Sequence, residues 1–293
     1  MQVLKVSVKP KLDRLDQFVS SQIKVLSRSK ANKLIKEGFI RVNEASLEPS
    51  YKVRKGDKIV VEIPVEKEVS LKAENIPLDF VYEDKDLLVI DKPAGLVTHP
   101  TLDHPSGTVV NALLSHLGSF DQESNRPGIV HRLDKNTSGL LVVAKNQDSL
   151  EALKEQFKKR VVEKKYLALV GGRVEKEKGE IKGSIQRHPK FKQKFIVGES
   201  GKEAVTDYKV VERFSNFTLV ELTPKTGRTH QIRVHLSHLG HPIVGDKLYG
   251  GKMLLSRQFL HAGELAFVQP TSKKKLKFTS NLPDELKKVL AKL

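Results

Sequence analysis

The sequence predicts an α+β protein made of a small basic part followed by a larger one. Three observations carry this. Segments with helical and strand periodicity mix irregularly instead of alternating as a regular βαβ winding. A charged stretch bounded by prolines, Pro64 to Pro77, separates two regions of different composition. The basic excess is concentrated ahead of that stretch: residues 1–60 hold 14 Lys and Arg against 6 Asp and Glu. A length of 293 residues is enough for one large core or two smaller ones.

The elements follow in order. Asp13 to Val19 has the pattern of a short helix. Ser29 is expected to cap a second helix, with Ala31, Leu34 and Ile35 as its apolar stripe and Arg28, Lys30, Lys33 and Lys36 on its polar face. Gly38 stops that helix, Phe39 to Val42 alternates as a strand, and Asn43-Glu44 turns the chain back. Gly56-Asp57 opens a further strand to Ile63. Two helices with a basic face on a short sheet would make a compact RNA-binding module.

From residue 78 onward, Val81 and Leu87–Ile90 flank a turn at Glu83–Asp86, and Lys92-Pro93-Ala94-Gly95 forms a turn. A helix is predicted over Thr108–Leu117, ending at Gly118. Leu140–Ala144 is a buried strand by its apolar run. Asp148–Arg160 is an amphipathic helix with Asp148 and Glu151 at capping spacing. Strands follow at Lys164–Val170, Ala204–Val211 and Phe217–Thr223. Next come a helix over Thr229–Leu239 and strands near Glu264–Val268 and Lys275–Phe278. A last helix begins with Pro283 at its first position.

Composition narrows the function. The absence of cysteine excludes disulfides, zinc ribbons, iron–sulfur clusters and thiol nucleophiles. No apolar run approaches the roughly 18–20 residues that span a bilayer, and the first residues lack a signal-peptide core, so a cytoplasmic protein without membrane association is expected. A net charge of +17 and a pI near 9.8 favour a polyanionic partner such as nucleic acid.

Two clusters could carry chemistry. In Gly128 to Gly139, Asp134 is the only carboxylate of a loop that runs into the buried strand. His131, Arg132 and Lys135 bracket it, which favours a charged carboxylate available as nucleophile or base; an ordinary turn with a surface ion pair is the alternative. In Thr226 to His235 and the following His241-Pro242-Ile243-Val244-Gly245-Asp246, Arg233 could pair with a buried carboxylate or clamp a phosphate. Histidines at 230, 235, 238 and 241 invite a metal reading. Only 235 and 238 share a helical face, so hydrogen-bonded or phosphate-facing histidines fit better and no metal is expected. Tyr166, alone in an aliphatic strand, is either a core aromatic or a ring that stacks on a flipped base. Gly171-Gly172 and Gly250-Gly251 match neither nucleotide fingerprint, so no nucleotide cofactor is supported.

Residues 126–145, Arg-Pro-Gly-Ile-Val-His-Arg-Leu-Asp-Lys-Asn-Thr-Ser-Gly-Leu-Leu-Val-Val-Ala-Lys, resemble the catalytic motif of the RluA-family pseudouridine synthases, which isomerise uridine to pseudouridine in RNA. Leu88 to Pro100 is similar to that family's first motif and Thr226 to Asp246 to its last. Residues 10–63 resemble the small alpha-L RNA-binding domain. Ile185–Pro189 and the Val109–Leu114 segment look most like the ribosomal large-subunit synthase D type. The resemblance implies an RNA-binding domain over 1–63, a linker over 64–77 and a catalytic domain with a mixed, largely antiparallel sheet over 78–293. It implies Asp134 as catalytic aspartate, Arg233 as its ion-pair partner, and Tyr166 as the tyrosine that packs on the target base. Arg132 would fill the stack that the flipped uridine leaves, and His131, Arg228 and His230 would contact RNA. In the N-terminal part Arg28, Lys30, Lys33 and Arg41 would do the same. Asn136 stands where an aspartate is frequent in the family. The implied enzyme needs no cofactor or metal, works as a monomer, and acts on large-subunit rRNA, with tRNA as the other candidate.

Overall fold

The computed structural model describes residues 2–6, 13–23, 25–64, 72–101, 104–118 and 127–293. The chain divides into two compact units, Met1–Glu68 and Val69–Leu293. Of the expected linker, residues 65–71 lie outside the described residues, as does Arg126 of the second motif.

The first unit contains β1 (Gln2–Lys5), α1 (Leu15–Gln22), α2 (Arg28–Lys36), β2 (Ile40–Val42) and β3 (Lys58–Val61). The strands form an antiparallel sheet in the order β1-β3-β2. Leu15, Val19, Ala31, Leu34 and Ile35 from the helices pack with Ile40, Ile59 and Val61. Each buried Val, Leu or Ile side chain among them contributes about 1.5–3 kcal/mol. The cap of α2 is Ser27, not the expected Ser29. Ser27 keeps an extended backbone and accepts from the Lys30 N–H, whereas Ser29 already lies inside the first turn. Asn43 and Glu44 both adopt left-handed φ, and Val42 pairs with Ala45 across them. This is the backbone a two-residue hairpin turn needs.

The second unit is built on one ten-stranded sheet. Its elements are β4 (Asp79–Glu83), β5 (Leu87–Lys92), α3 (Val109–Leu117), β6 (Ser138–Ala144), α4 (Gln147–Lys158), β7 (Glu163–Gly171), β8 (Lys178–Arg187), β9 (Phe195–Val197), β10 (Lys202–Arg213), β11 (Phe217–Pro224), α5 (Gln231–His238), β12 (Leu260–Val268), β13 (Lys275–Thr279) and α6 (Asp284–Leu290). The order is β4-β5-β6-β12-β7-β11-β10-β8-β9, with β13 also on β12. Among the described residues, every strand pairing of this sheet is antiparallel except β6 with β12. The α+β class with a mixed, largely antiparallel sheet is therefore what the chain adopts.

Four local expectations need correction. Asn146, not Asp148, caps α4, accepting from the Ser149 N–H. Pro283 stands one position before α6, with an extended ψ of 147°. α5 starts at Gln231 because His230 takes a left-handed backbone, φ 57°. β8 and β9 were not foreseen. β8 carries Gly179, Gly183 and four charged residues and buries only Ile181 and Ile185, so it lacks the apolar alternation that marks a strand.

The centre of the sheet positions the chemistry. β6 is buried along its whole length and meets β12 only at its start, where Ser138 pairs with His261 and Gly139 with Ala262. Gly139 has φ +116°, and a Cβ there would come within 2.3 Å of the Ala262 carbonyl oxygen. Only glycine lets the strand enter the sheet at this point. The loop ahead of β6 is thereby fixed beside β12 and β7.

Candidate active site

Asp134 sits on that loop, three residues after His131 and four before β6. The loop is held by its own backbone and by buried side chains. Thr137 N–H donates to the Asp134 carbonyl at 3.0 Å, and Thr98 Oγ1 donates to the Leu133 carbonyl at 2.9 Å. Arg257 Nη1 donates to the Asn136 carbonyl at 3.2 Å. Lys92 is fully buried at the end of β5 rather than in a turn, and its Nζ donates to the carbonyls of Pro93, Leu96 and Lys135. Burial lowers its pKa to about 7 while the charge of Asp134 opposes the shift.

Arg233 reaches the loop from the first turn of α5. Its Nη1 donates to Asp134 Oδ2 at 3.0 Å, although the two residues are 99 positions apart. Its remaining donors are held by Asp246: Nε to Oδ2 at 2.6 Å and Nη2 to Oδ1 at 2.9 Å. Burial works against the guanidinium's charge, but the hydrogen bonds and charges of Asp246 and Asp134 prevail and raise its pKa above the ordinary value. The Arg233 guanidinium also lies over the Tyr249 ring, 5.0 Å from the centroid. Asp246 was not singled out from the sequence, because nothing in Val244-Gly245-Asp246 marks a buried carboxylate. Gly245 sets it in place: its φ is +79°, and a Cβ would fall 1.8 Å from the Arg257 carbonyl oxygen.

His230 approaches the same carboxylate oxygen as Arg233, with Nε2 3.8 Å from Asp134 Oδ2 and Nδ1 3.0 Å from the Tyr249 hydroxyl. Burial lowers the His230 pKa, and Asp134 offsets part of that. Burial pushes the Tyr249 phenol up to about 12. Tyr166, on β7, pairs in register with Ala262 of β12 and Leu222 of β11 and packs between two hydrophobic clusters. Burial first, then the charge of Asp134, raises its phenol pKa above the ordinary value. Its hydroxyl has no hydrogen-bond partner among the described residues.

Asp134, Tyr166, Arg233, His230, Arg132, Arg228 and His131 all line one cavity of about 980 Å³. Arg132 is exposed there. Arg228 Nε donates to the Glu203 carbonyl. His131 is engaged by the protein instead of standing free for RNA: its Nε2 accepts from the Val142 N–H at 3.1 Å and its ring stacks on Phe157, centroids 4.7 Å apart. Of the other histidines considered for a metal, His235 is buried with Nδ1 3.0 Å from Thr206 Oγ1, and His241 Nδ1 donates to the Gly171 carbonyl. Among the described residues, no group of three His, Asp or Glu side chains is placed to hold a metal.

In the first unit the expected cations are only partly available. Arg28 Nε lies 3.0 Å from Asp16 Oδ2, so it neutralises a buried carboxylate together with Arg14. Arg41 pairs with Glu62. Lys33 is exposed, 3.9 Å from Glu37. Lys30 lies in the first turn of α2.

The sequence pattern of the RNA pseudouridylate synthase family matches residues 86–238, and that of the S4 domain matches residues 13–59. The chain belongs to the RNA pseudouridylate synthase family. It is an isomerase that converts uridine to pseudouridine in RNA, with an S4 RNA-binding domain at its N-terminal end. An RNA pseudouridine synthase of Aquifex aeolicus is 42% identical, the alignment covering 98% of this chain and 96% of that one. A ribosomal large subunit pseudouridine synthase D of Xylella fastidiosa is 39% identical over 96% of this chain and 88% of its own. Human RNA pseudouridylate synthase domain containing 1 superposes with a TM-score of 0.59 at 31% identity, covering 72% of this chain and 86% of that one. This synthase therefore carries Asp134, Tyr166 and Arg233 inside the region that the family pattern matches.

Proposed function

We propose that this synthase isomerises specific uridines of large-subunit ribosomal RNA, with Asp134 as its catalytic carboxylate and without a cofactor. The observation that carries the reading is Asp134 held by the Arg233 guanidinium on the wall of a cavity that also presents Tyr166. The large-subunit target is supported by the names of relatives such as the Xylella fastidiosa synthase D. The chain is taken to act as a cytoplasmic monomer.

The chemistry gives each group a task. Uridine is joined to ribose through N1 and pseudouridine through C5. The N1–C1′ bond breaks, the uracil turns in place, and a C5–C1′ bond forms as the C5 hydrogen leaves and N1 gains a proton. Atoms and electrons balance within the nucleotide, so the reaction calls for no redox partner or group donor. The Asp134 carboxylate can attack the sugar or the base, or take a proton from the sugar, and Arg233 orients it for any of the three. A neutral Tyr166 phenol, kept so by burial, packs on the base and can pass a proton at C5 or N1. A paired base is out of reach, so the uridine is flipped into the cavity and Arg132 fills the stack it leaves. Phosphate contacts from the S4 domain add affinity that falls with salt.

Carbodiimide labelling and primer extension on unmodified large-subunit rRNA test this, with wild-type protein and Asp134→Asn, each with and without EDTA. Stops with the wild type alone are the expected result. Stops that persist with Asp134→Asn sink the catalytic assignment. Silence on rRNA with modification of tRNA corrects the substrate, and loss of stops on adding EDTA overturns the metal-free reading.

A further inference from the structure

The cavity extends beyond Asp134 to the end of α4 and the start of β7, where Phe157, Arg160 and Lys164 line it together with His131 and Arg132. Basic side chains nearby are paired: Lys165 with Glu221, Lys225 with Glu180 and Asp207, Lys158 with Glu155, Lys275 with Glu163. Lys164 is different. It is half-buried, yet no carboxylate or hydrogen-bond acceptor among the described residues meets its ammonium. The neighbour of its Nζ is the Phe157 ring, 5.5 Å to the centroid. Burial alone lowers its pKa, with no carboxylate to counter the shift. His131, stacked on the same ring, is driven to a pKa of about 3 by burial and then by the Lys164 charge, so it supplies no counter-charge. Arg132 and Arg160, on the same cavity wall, are exposed and form no ion pair with any described residue.

An ammonium withdrawn from water beside neutral rings costs free energy unless an anion meets it. The cavity is the side from which that anion can come. Lys164 stands two residues before Tyr166 on β7, so strand alternation sends both side chains to one face, roughly 7 Å apart along the strand. That spacing is on the scale of a nucleobase and its neighbouring backbone phosphate.

We propose that Lys164, assisted by Arg160, forms a phosphate subsite that takes a backbone phosphate of the RNA strand next to the uridine on Tyr166. The subsite rests on the reading of the Asp134 cavity as the place where the uridine turns over. It makes Lys164 a substrate-positioning residue that acts through charge. Its loss weakens substrate capture more than the chemical step.

The test uses the full chain and total RNA from cells that lack this synthase, grown on 5-tritiated uridine, so every natural target is present. Tritium release from C5 is followed as a function of RNA and salt concentration, and melting curves check that each variant is folded. Lys164→Gln is expected to raise KM about tenfold with kcat within about twofold. Its kcat/KM should fall less steeply with salt, the log–log slope shrinking by about 0.7 for one lost phosphate contact. Lys164→Arg should keep wild-type KM and slope. An unchanged KM and slope in Lys164→Gln, or equal impairment in Lys164→Arg, overturns the subsite. Asp134→Asn separates the two readings. If it still releases tritium, the underlying site assignment fails. If it is inactive while Lys164→Gln behaves as wild type, only the phosphate subsite fails.

Discussion

Arg233 gives Asp246 two hydrogen bonds and Asp134 one. The Asp246 side chain is 1% exposed and its Oδ1 also accepts from the Leu248 N–H, whereas Asp134 is 16% exposed and its Oδ1 meets no donor among the described residues. Asp246 is thus the anchor of the guanidinium, and Asp134 the carboxylate left with a face toward the cavity. Asp246→Asn removes the charge that fixes Arg233 without emptying the space. Tritium release should fall by roughly 10- to 100-fold while RNA affinity in a filter-binding assay stays the same. Asp246→Ala should also cost roughly 3 kcal/mol in a urea melt, because it strands part of a buried guanidinium. Wild-type turnover in Asp246→Asn would show that Asp134 needs no second carboxylate behind Arg233.

Tyr166→Phe isolates the phenol. The hydroxyl makes no hydrogen bond to any described residue, and burial raises its pKa, so the oxygen is not there for packing. Removing it should leave the melting midpoint within a degree or two and RNA affinity unchanged, while turnover drops by about 100-fold if the hydroxyl moves a proton. Full turnover in Tyr166→Phe would reduce the residue to a stacking surface.

Those residues also show what could be read in advance. Asp134 stood out as a lone carboxylate among cations ahead of an apolar run, but that pattern also fits an ordinary turn, and only the resemblance of residues 126–145 to the family's motif singled it out. Arg233 could be read as pairing with a carboxylate or clamping a phosphate, and the resemblance of its motif to the family's implied the pairing with Asp134. Asp246 was not legible: it is one aspartate after a glycine, and its role exists only because β11, α5 and the turn at Gly245 bring it to Arg233. β8 and β9 escaped for a related reason. A strand that buries only Ile181 and Ile185, with Gly183 between them, leaves little periodic pattern, and its existence is decided by its partner β10. The helix caps at Ser27 and Asn146 were each missed by two residues, since neighbouring polar residues compete equally until the backbone selects one. Arg28, read as an RNA contact, pairs with the buried carboxylate of Asp16 while its side chain stays exposed, a pairing that the sequence did not announce.

The S4 unit has its own core, assembled from Val6 to Val61, and its own sheet. Deleting residues 1–63 should therefore leave the rest folded, with near-native circular dichroism and cooperative melting. kcat should survive while KM for RNA rises several-fold, because the deletion removes exposed cations such as Lys33 but nothing from the cavity. Loss of the cooperative melt would place the domain boundary elsewhere.

His131 predicts an acid sensitivity with a definite sign. Its Nε2 accepts the Val142 N–H and its ring lies against Phe157, so protonation would break the hydrogen bond and bury a charge beside Lys164. Burial and Lys164 hold the folded pKa at about 3, below the ordinary 6.5. Between those values the unfolded chain binds a proton that the native chain does not. The contribution is therefore complete above pH 6.5 and is lost as pH falls toward 3, by about 1.4 kcal/mol per pH unit. His131→Gln keeps an oxygen that can accept the Val142 N–H and cannot titrate. Urea melts at pH 7 and pH 4 should show the wild type losing roughly 3 kcal/mol more than His131→Gln over that interval, after the carboxylates common to both cancel. Parallel losses in the two proteins would mean that His131 charges in the native state without penalty, and that its ring is free to meet an RNA phosphate after all.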